Sequence, residues 1–239
     1  MPIRAVLWDI DDTIFDYTSA DRTGLREHLK AEGLPDGYTS VEQALVRWRE
    51  ITDAQWARFA AGETDWEGQR RERVRIFTGT ELSDQEADAW FARHLAHYEA
   101  AWALFPDTVP ALDALASGYR HGLLSNSAAH NQDRKLRTLG IRDRFEILVC
   151  AADLGVAKPA AGAFQAACDA MRLDPAEVLY VGDHPDIDAA GALAAGLRAV
   201  WLDRADLGGR PELDRITALD RLPGLLRGDT RFGAPSTFG

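Results

Sequence analysis

The 239-residue chain is long enough to bury a sizeable core, and its 46% hydrophobic content is ordinary for a folded globular protein. A formal charge of −11, with no basic block and no aromatic-basic interleaving, argues against a nucleic-acid polymer as partner. No stretch approaches the roughly 18 consecutive apolar residues of a membrane span, and the start, MPIRAVLWD, enters an apolar run without a basic region or cleavage site, so the expectation is a soluble, cytoplasmic protein.

The first predicted element is a buried strand over Ile3, Ala5, Val6, Leu7 and Trp8, ending in Asp9, Asp11, Asp12 and Thr13. Residues 17–104 hold no convincing strand. Val41, Leu45, Trp48, Thr52, Trp56 and Phe59 recur at helical spacing, as do Trp90 or Phe91, His94, Tyr98, Ala101 or Trp102, and Phe105. From Pro106 the pattern alternates. VPALDALASG reads as a helix, HGLLSNS as a strand, RFEILVCA as a strand and PAAGAFQAACDAMRL as a helix. EVLYVGD then reads as a strand, DIDAAGALAAG as a helix stopped by Gly196, and LRAVWLD as a strand, with a short strand and helix in DRITALDRLPGLL.

Alternating strands and helices imply an α/β fold, a doubly wound Rossmann-like parallel sheet, and the first strand must join that sheet to cover its apolar faces. The expected organisation is an α/β core over 1–16 and 105–228, an inserted all-helical domain over 17–104, and a loose tail over 229–239. Cys150 and Cys168, without metal-ligand spacing, read as buried free thiols.

In such a sheet ligands bind beyond the carboxyl ends of the strands. The residues expected there are Asp9, Asp11 and Thr13, then Ser125 and Asn126, then Lys158, then Asp183, Asp186 and Asp188. Converging carboxylates repel unless a cation compensates, and oxygen-only ligands favour Mg²⁺. A carboxylate can also act as a nucleophile, with a lysine and a serine binding the oxygens of a transferring phosphoryl group.

DIDDT, LLSNS, AKP and VGDHPDID resemble, in order and spacing, the four motifs of the haloacid dehalogenase superfamily, in particular its phosphatases with a helical cap inserted after the first motif. The resemblance implies Asp9 as nucleophile and Asp11 as general acid and base, also binding metal through its carbonyl. It further implies Asp183 as the third protein contact to Mg²⁺, Asp188 as a support, Ser125 and Lys158 as phosphoryl ligands, and Asn126 as a further phosphate donor. The implied reaction is Mg²⁺-dependent hydrolysis of a small phosphate ester, such as a nucleoside monophosphate, a sugar phosphate or phosphoglycolate, through an aspartyl-phosphate.

Three other readings compete. A 2-haloacid dehalogenase lacks the second aspartate, so Asp11 counts against it. A phosphomutase of the β-phosphoglucomutase kind needs a general-base constellation in the cap that the sequence does not display. A non-catalytic binding protein has no reason to keep Asp9, Lys158 and Asp183 together.

Asp12 reads as a turn residue, and Asp186 as a helix starter ahead of a metal contact. His184 is left to substrate or solvent. Trp48, Trp56, Trp66, Trp90 and Trp102 read as core fillers, and Arg70, Arg71, Arg73 and Arg75 as a solvated helix face, against the sharper reading that one arginine reaches substrate.

Overall fold

The protein is described by a computed structural model over residues 1–228, so the tail expected at 229–239 lies outside the described residues. The described residues divide into two compact units, 1–16 with 103–228, and Tyr17–Trp102.

The first unit is built on a six-stranded sheet. Its strands are β1 (Ala5–Trp8), β2 (Arg120–Ser125), β3 (Ile147–Cys150), β4 (Val178–Gly182), β5 (Arg198–Leu202) and β6 (Arg215–Ile216). They lie in the order β3-β2-β1-β4-β5-β6, every pair parallel. Strand order reverses between β1 and β4, the switch point at which doubly wound sheets bind ligands. Trp8 pairs with Leu123 on one side and Val181 on the other, so the ends of β1, β2 and β4 come level.

All four residues of β1 are fully buried, as expected of a central parallel strand covered on both faces. One face packs Ala5, Leu7, Leu124 and Tyr180 against Ala163, Phe164, Ala167 and Met171 of the helix Ala161–Met171. In chain order this unit's helices are α5 (Thr108–Leu115), α6 (Ala129–Thr138), α7 (Ala151–Leu154), α8 (Ala161–Met171), α9 (Gly191–Ala194) and α10 (Leu222–Gly228). The helix expected in DIDAAGALAAG opens as a π-helical turn, Pro185–Ala190, before α9, and Gly196 follows at φ +90. Cys150 and Cys168 are buried free thiols.

The second unit holds α1 (Tyr17–Glu32), α2 (Val41–Ala60), α3 (Trp66–Thr78) and α4 (Asp84–Ala100), with no strand among its described residues. Ser40, Asp65 and Ser83 cap α2, α3 and α4, and Ser83 with Glu86 forms a capping box. Leu25, Leu45, Trp48, Ile51, Val74, Phe77, Trp90 and Phe91 form the core. α1 and α4 approach so closely that a Cβ on Gly24 would stand 2.5 Å from the Cα of Tyr98.

Two expectations for this unit need correction. Of the five tryptophans, Trp48 and Trp90 are buried, but Trp56, Trp66 and Trp102 are half-buried, the first two edge-on to each other and to Phe59. The arginines of α3 do not share one solvated face, because Arg73 is only 7% exposed. Periodicity places a residue on a helix face but cannot say how wide the buried face is.

Candidate active site

Asp9 continues β1 by one residue, its N–H donating to the Val181 carbonyl at 2.9 Å. This fixes the side chain at the switch point. Its Oδ1 accepts from Lys158 Nζ at 2.6 Å and its Oδ2 from Thr13 Oγ1 at 3.0 Å. The next residues turn tightly. Ile14 and Phe15 donate to the Ile10 carbonyl, Asp12 donates to Phe15, and Asp12 takes φ +61, the left-handed geometry that aspartate tolerates in turns. Arg204, paired with Asp107 at 3.0 Å, holds the loop by donating to the Thr13 carbonyl at 2.8 Å.

Lys158 lies in the connection between α7 and α8. Its ammonium meets Asp9, Asp188 Oδ1 at 2.7 Å and the Tyr180 hydroxyl at 2.8 Å. Asn126 clamps the Lys158 backbone, its Oδ1 accepting from the N–H at 2.8 Å and its Nδ2 donating to the carbonyl at 3.0 Å. Both ends of the side chain from which the resemblance implied a phosphate donor are therefore engaged in positioning the lysine.

Asp183 and Asp188 follow β4. Asp188, 2% exposed, also accepts from the His184 N–H at 3.0 Å through its Oδ2. A Cβ on Gly182 would lie 2.5 Å from the Asp188 carboxyl, so only glycine lets Asp188 pack against the strand end. His184 Nδ1 accepts from the N–H groups of Asp186 and Ile187, which makes it the cap of the π-helical turn. Asp186 is exposed and paired with Arg210 at 2.7 Å.

Oxygens of Asp9, Asp183 and Asp188 lie within 4.8 Å of one another. Asp11 is not in this group. Its carboxylate points to Lys135 Nζ at 2.5 Å and Gln132 Nε2 at 2.7 Å, leaving only the backbone carbonyl, the group named in the resemblance, to serve a metal. Gln132 Nε2 also donates to Ser125 Oγ at 3.0 Å, which ties the second motif to the first. Ser125 Oγ further accepts from the Ser127 N–H at 3.2 Å.

The charges are unbalanced. Burial, aided by Asp188 and Asp11 and opposed by Lys158, pushes Asp9 up to about 7. Burial, with Asp9, Asp188 and Asp12, lifts Asp183 well above the usual carboxylate range. Burial disfavours the Lys158 ammonium, but Asp188 and Asp9 outweigh it and hold the lysine charged. Three oxygen-donor side chains facing a single ammonium, two of them reluctant to ionise, have the chemistry of a site completed by a hard divalent cation.

Sequence reasoning missed Gln132, Lys135 and Tyr180 as parts of this constellation. Gln132 and Lys135 stand three apart on α6, a helix in which Leu136 supplies the buried apolar side chain, so a polar pair on its inner face was the available signal. Tyr180 was the lone hydroxyl in an otherwise apolar strand.

A family model described as haloacid dehalogenase-like hydrolase matches residues 3–196. The phosphoserine phosphatase of Thermus thermophilus is 29% identical over 235 residues, covering 88% of this chain and 91% of that protein. The N-acylneuraminate-9-phosphatase of Rattus norvegicus is 27% identical over 219 residues, covering 87% and 85%. Among solved structures, the HAD-hydrolase YfnB of Bacillus subtilis, solved bound to magnesium, superposes with a TM-score of 0.82 at 22% identity, covering 95% of this chain and all of that one, a likeness of fold.

Proposed function

Since the chain belongs to the haloacid dehalogenase-like hydrolases, we propose that it is a Mg²⁺-dependent phosphatase that hydrolyses a small phosphate monoester through an aspartyl-phosphate on Asp9. The observation that carries this reading is the convergence of Asp9, Asp183, Asp188 and Lys158 at the switch point, with Asp11 held beside them by Lys135 and Gln132. The phosphatase names of its relatives support the same class.

An Asp9 carboxylate oxygen bonds to phosphorus as the ester P–O bond breaks, and Asp11 gives its proton to the leaving oxygen. Asp11 then takes a proton from water, whose oxygen bonds to phosphorus as the Asp9 O–P bond breaks. Inorganic phosphate leaves and both carboxyl groups return to their starting states. Lys158 and Ser125 bind the phosphoryl oxygens, and Lys158 holds Asp9 in line. Asp9, Asp183 and the Asp11 carbonyl would hold Mg²⁺, which when bound supplies positive charge against the phosphoryl oxygens. Asp188 positions Lys158.

Asp11 also separates this reading from haloacid dehalogenation, which has no leaving alcohol to protonate.

Phosphate release is to be measured over nucleotide, sugar and short acid phosphates, each with Mg²⁺ and with excess chelator. Turnover that needs Mg²⁺ and is abolished by Asp9→Asn, with the variant folded by circular dichroism, is the expected result. A near-normal Asp9→Asn variant, or halide release from 2-haloacids with no phosphate release, would overturn the reading.

A further inference from the structure

The arginines of α3 fall into two kinds. Arg71 donates to both Asp88 oxygens at 3.0 and 2.7 Å and to Asp84 at 2.9 Å. Arg75 donates to Asp84 at 2.5 Å and to the Leu82 carbonyl at 2.8 Å. Arg70 and Arg73 have neither a hydrogen bond nor an ion pair among the described residues. Both stand over the ring of Phe91, with guanidinium carbons 4.2 and 5.3 Å from its centre, and Arg73 is also 6.0 Å from that of Trp48.

Stacking on aromatic rings uses the faces of a guanidinium and leaves its in-plane N–H donors unused. No nearby carboxylate makes a hydrogen bond to either one: Asp88 is gripped by Arg71, Asp21 accepts from Trp48 Nε1 at 3.2 Å and lies 4.0 Å from His94 Nε2, and exposed Glu67 acts on Arg70 only through space. Burial lowers the proton affinity of Arg73; Tyr17 and Asp21 oppose this through space without a hydrogen bond to it, and Arg70 adds to it. Gln69, one turn before Arg73 on the same face of α3, and Thr52, one turn after Trp48 on α2, each bury an oxygen without a partner, as Arg73 buries its Nε. A buried guanidinium whose N–H donors are left unpaired, amid other unsatisfied polar atoms, is held at a cost that a hydrogen-bonded anion would reduce.

We propose that the helical unit carries an oxyanion-binding site made by Arg70 and Arg73 on the Phe91 ring, taking a carboxylate, sulfate or phosphate group in the plane of the guanidinium donors. The anion is one free in solution. The inference goes beyond the hydrolytic reading and stands or falls separately from it.

Sulfate binding to the full chain, measured by calorimetry and by the rise in melting temperature at constant ionic strength, tests it. Arg73→Met should weaken the sulfate response at least about tenfold, the scale of lost charged hydrogen bonds. Arg75→Met, which removes a paired guanidinium whose partner Asp84 stays held by Arg71, should leave it unchanged. Should Arg73→Met fail to fold, Arg70→Met, half-buried on the same ring, must show the weakening instead. A sulfate response equal in wild type and variant overturns the site.

Discussion

Asp11 is held at both oxygens, by Lys135 at 2.5 Å and by Gln132 at 2.7 Å, and Lys135 is itself seated 4.1 Å above the Phe15 ring. In the proposed role of general acid and base Asp11 must meet two different oxygens in turn, so fixing its carboxylate matters more than binding it to substrate. Lys135→Met is therefore expected to lower kcat about 10–100-fold with little change in KM, and Lys135→Arg to restore part of the loss. Steady-state kinetics on the preferred ester checks this; an equal loss in both parameters would indicate a role in binding. Lys158 differs in kind. Its ammonium is the counter-charge for two buried carboxylates, which explains why its backbone is clamped by Asn126 and its side chain by Tyr180.

The π-helical turn after β4 shapes the end of that strand. Capped by His184, it carries Asp188 back over Gly182 and brings the carboxylate within 2.5 Å of where a Cβ would stand. Gly182→Ala is expected to push Asp188 off Lys158, cost about 1–3 kcal/mol in urea unfolding and reduce turnover. Unchanged stability and activity would show that the turn can yield.

The four-helix unit carries a different liability. His94 is buried among Trp48, Trp90 and Phe91, and burial, with His28, Arg73 and His97, lowers it to about 3. Unfolded, the same histidine titrates near 6.5, so below that pH the unfolded chain binds a proton that the folded unit refuses. Stability is complete above about 6.5 and falls towards pH 3, by at most about 1.4 kcal/mol per pH unit from this group. His94→Phe should flatten that slope in denaturation measured between about pH 4 and 7.

Across the whole molecule, the excess of carboxylates over ammonium groups at the switch point would couple the binding of the proposed metal to protons. Asp9 is raised from 3.8 to about 7, so in the metal-free chain its contribution to stability is full below about 4 and is lost as pH rises through about 7. Mg²⁺ should therefore raise the melting temperature more at about pH 8 than at about pH 5.5, and its binding near pH 7 should release protons. A melting-temperature gain independent of pH, or proton uptake on binding, would contradict this electrostatic account. Among the described residues no helix is long and apolar enough to cross a membrane.

Much was legible in the chain itself. Apolar runs broken by carboxylates gave away β1 and β4, because a central parallel strand is buried on both faces and its polar residues can lie only at its end. Helical periodicity marked α2 and α4, and the order of DIDDT, LLSNS, AKP and VGDHPDID marked one edge of a sheet. Tertiary structure alone decided which polar groups meet. The register of β1 with β2 and β4 and the turn of α6 bring Lys135 and Gln132 to Asp11, direct Asn126 to the Lys158 backbone rather than outward, and substitute Asp188 for Asp11 in the carboxylate cluster. Local sequence specifies where a strand or helix ends and what it carries; the partners of a side chain depend on contacts between elements far apart in the chain, whose register and rotation only packing fixes.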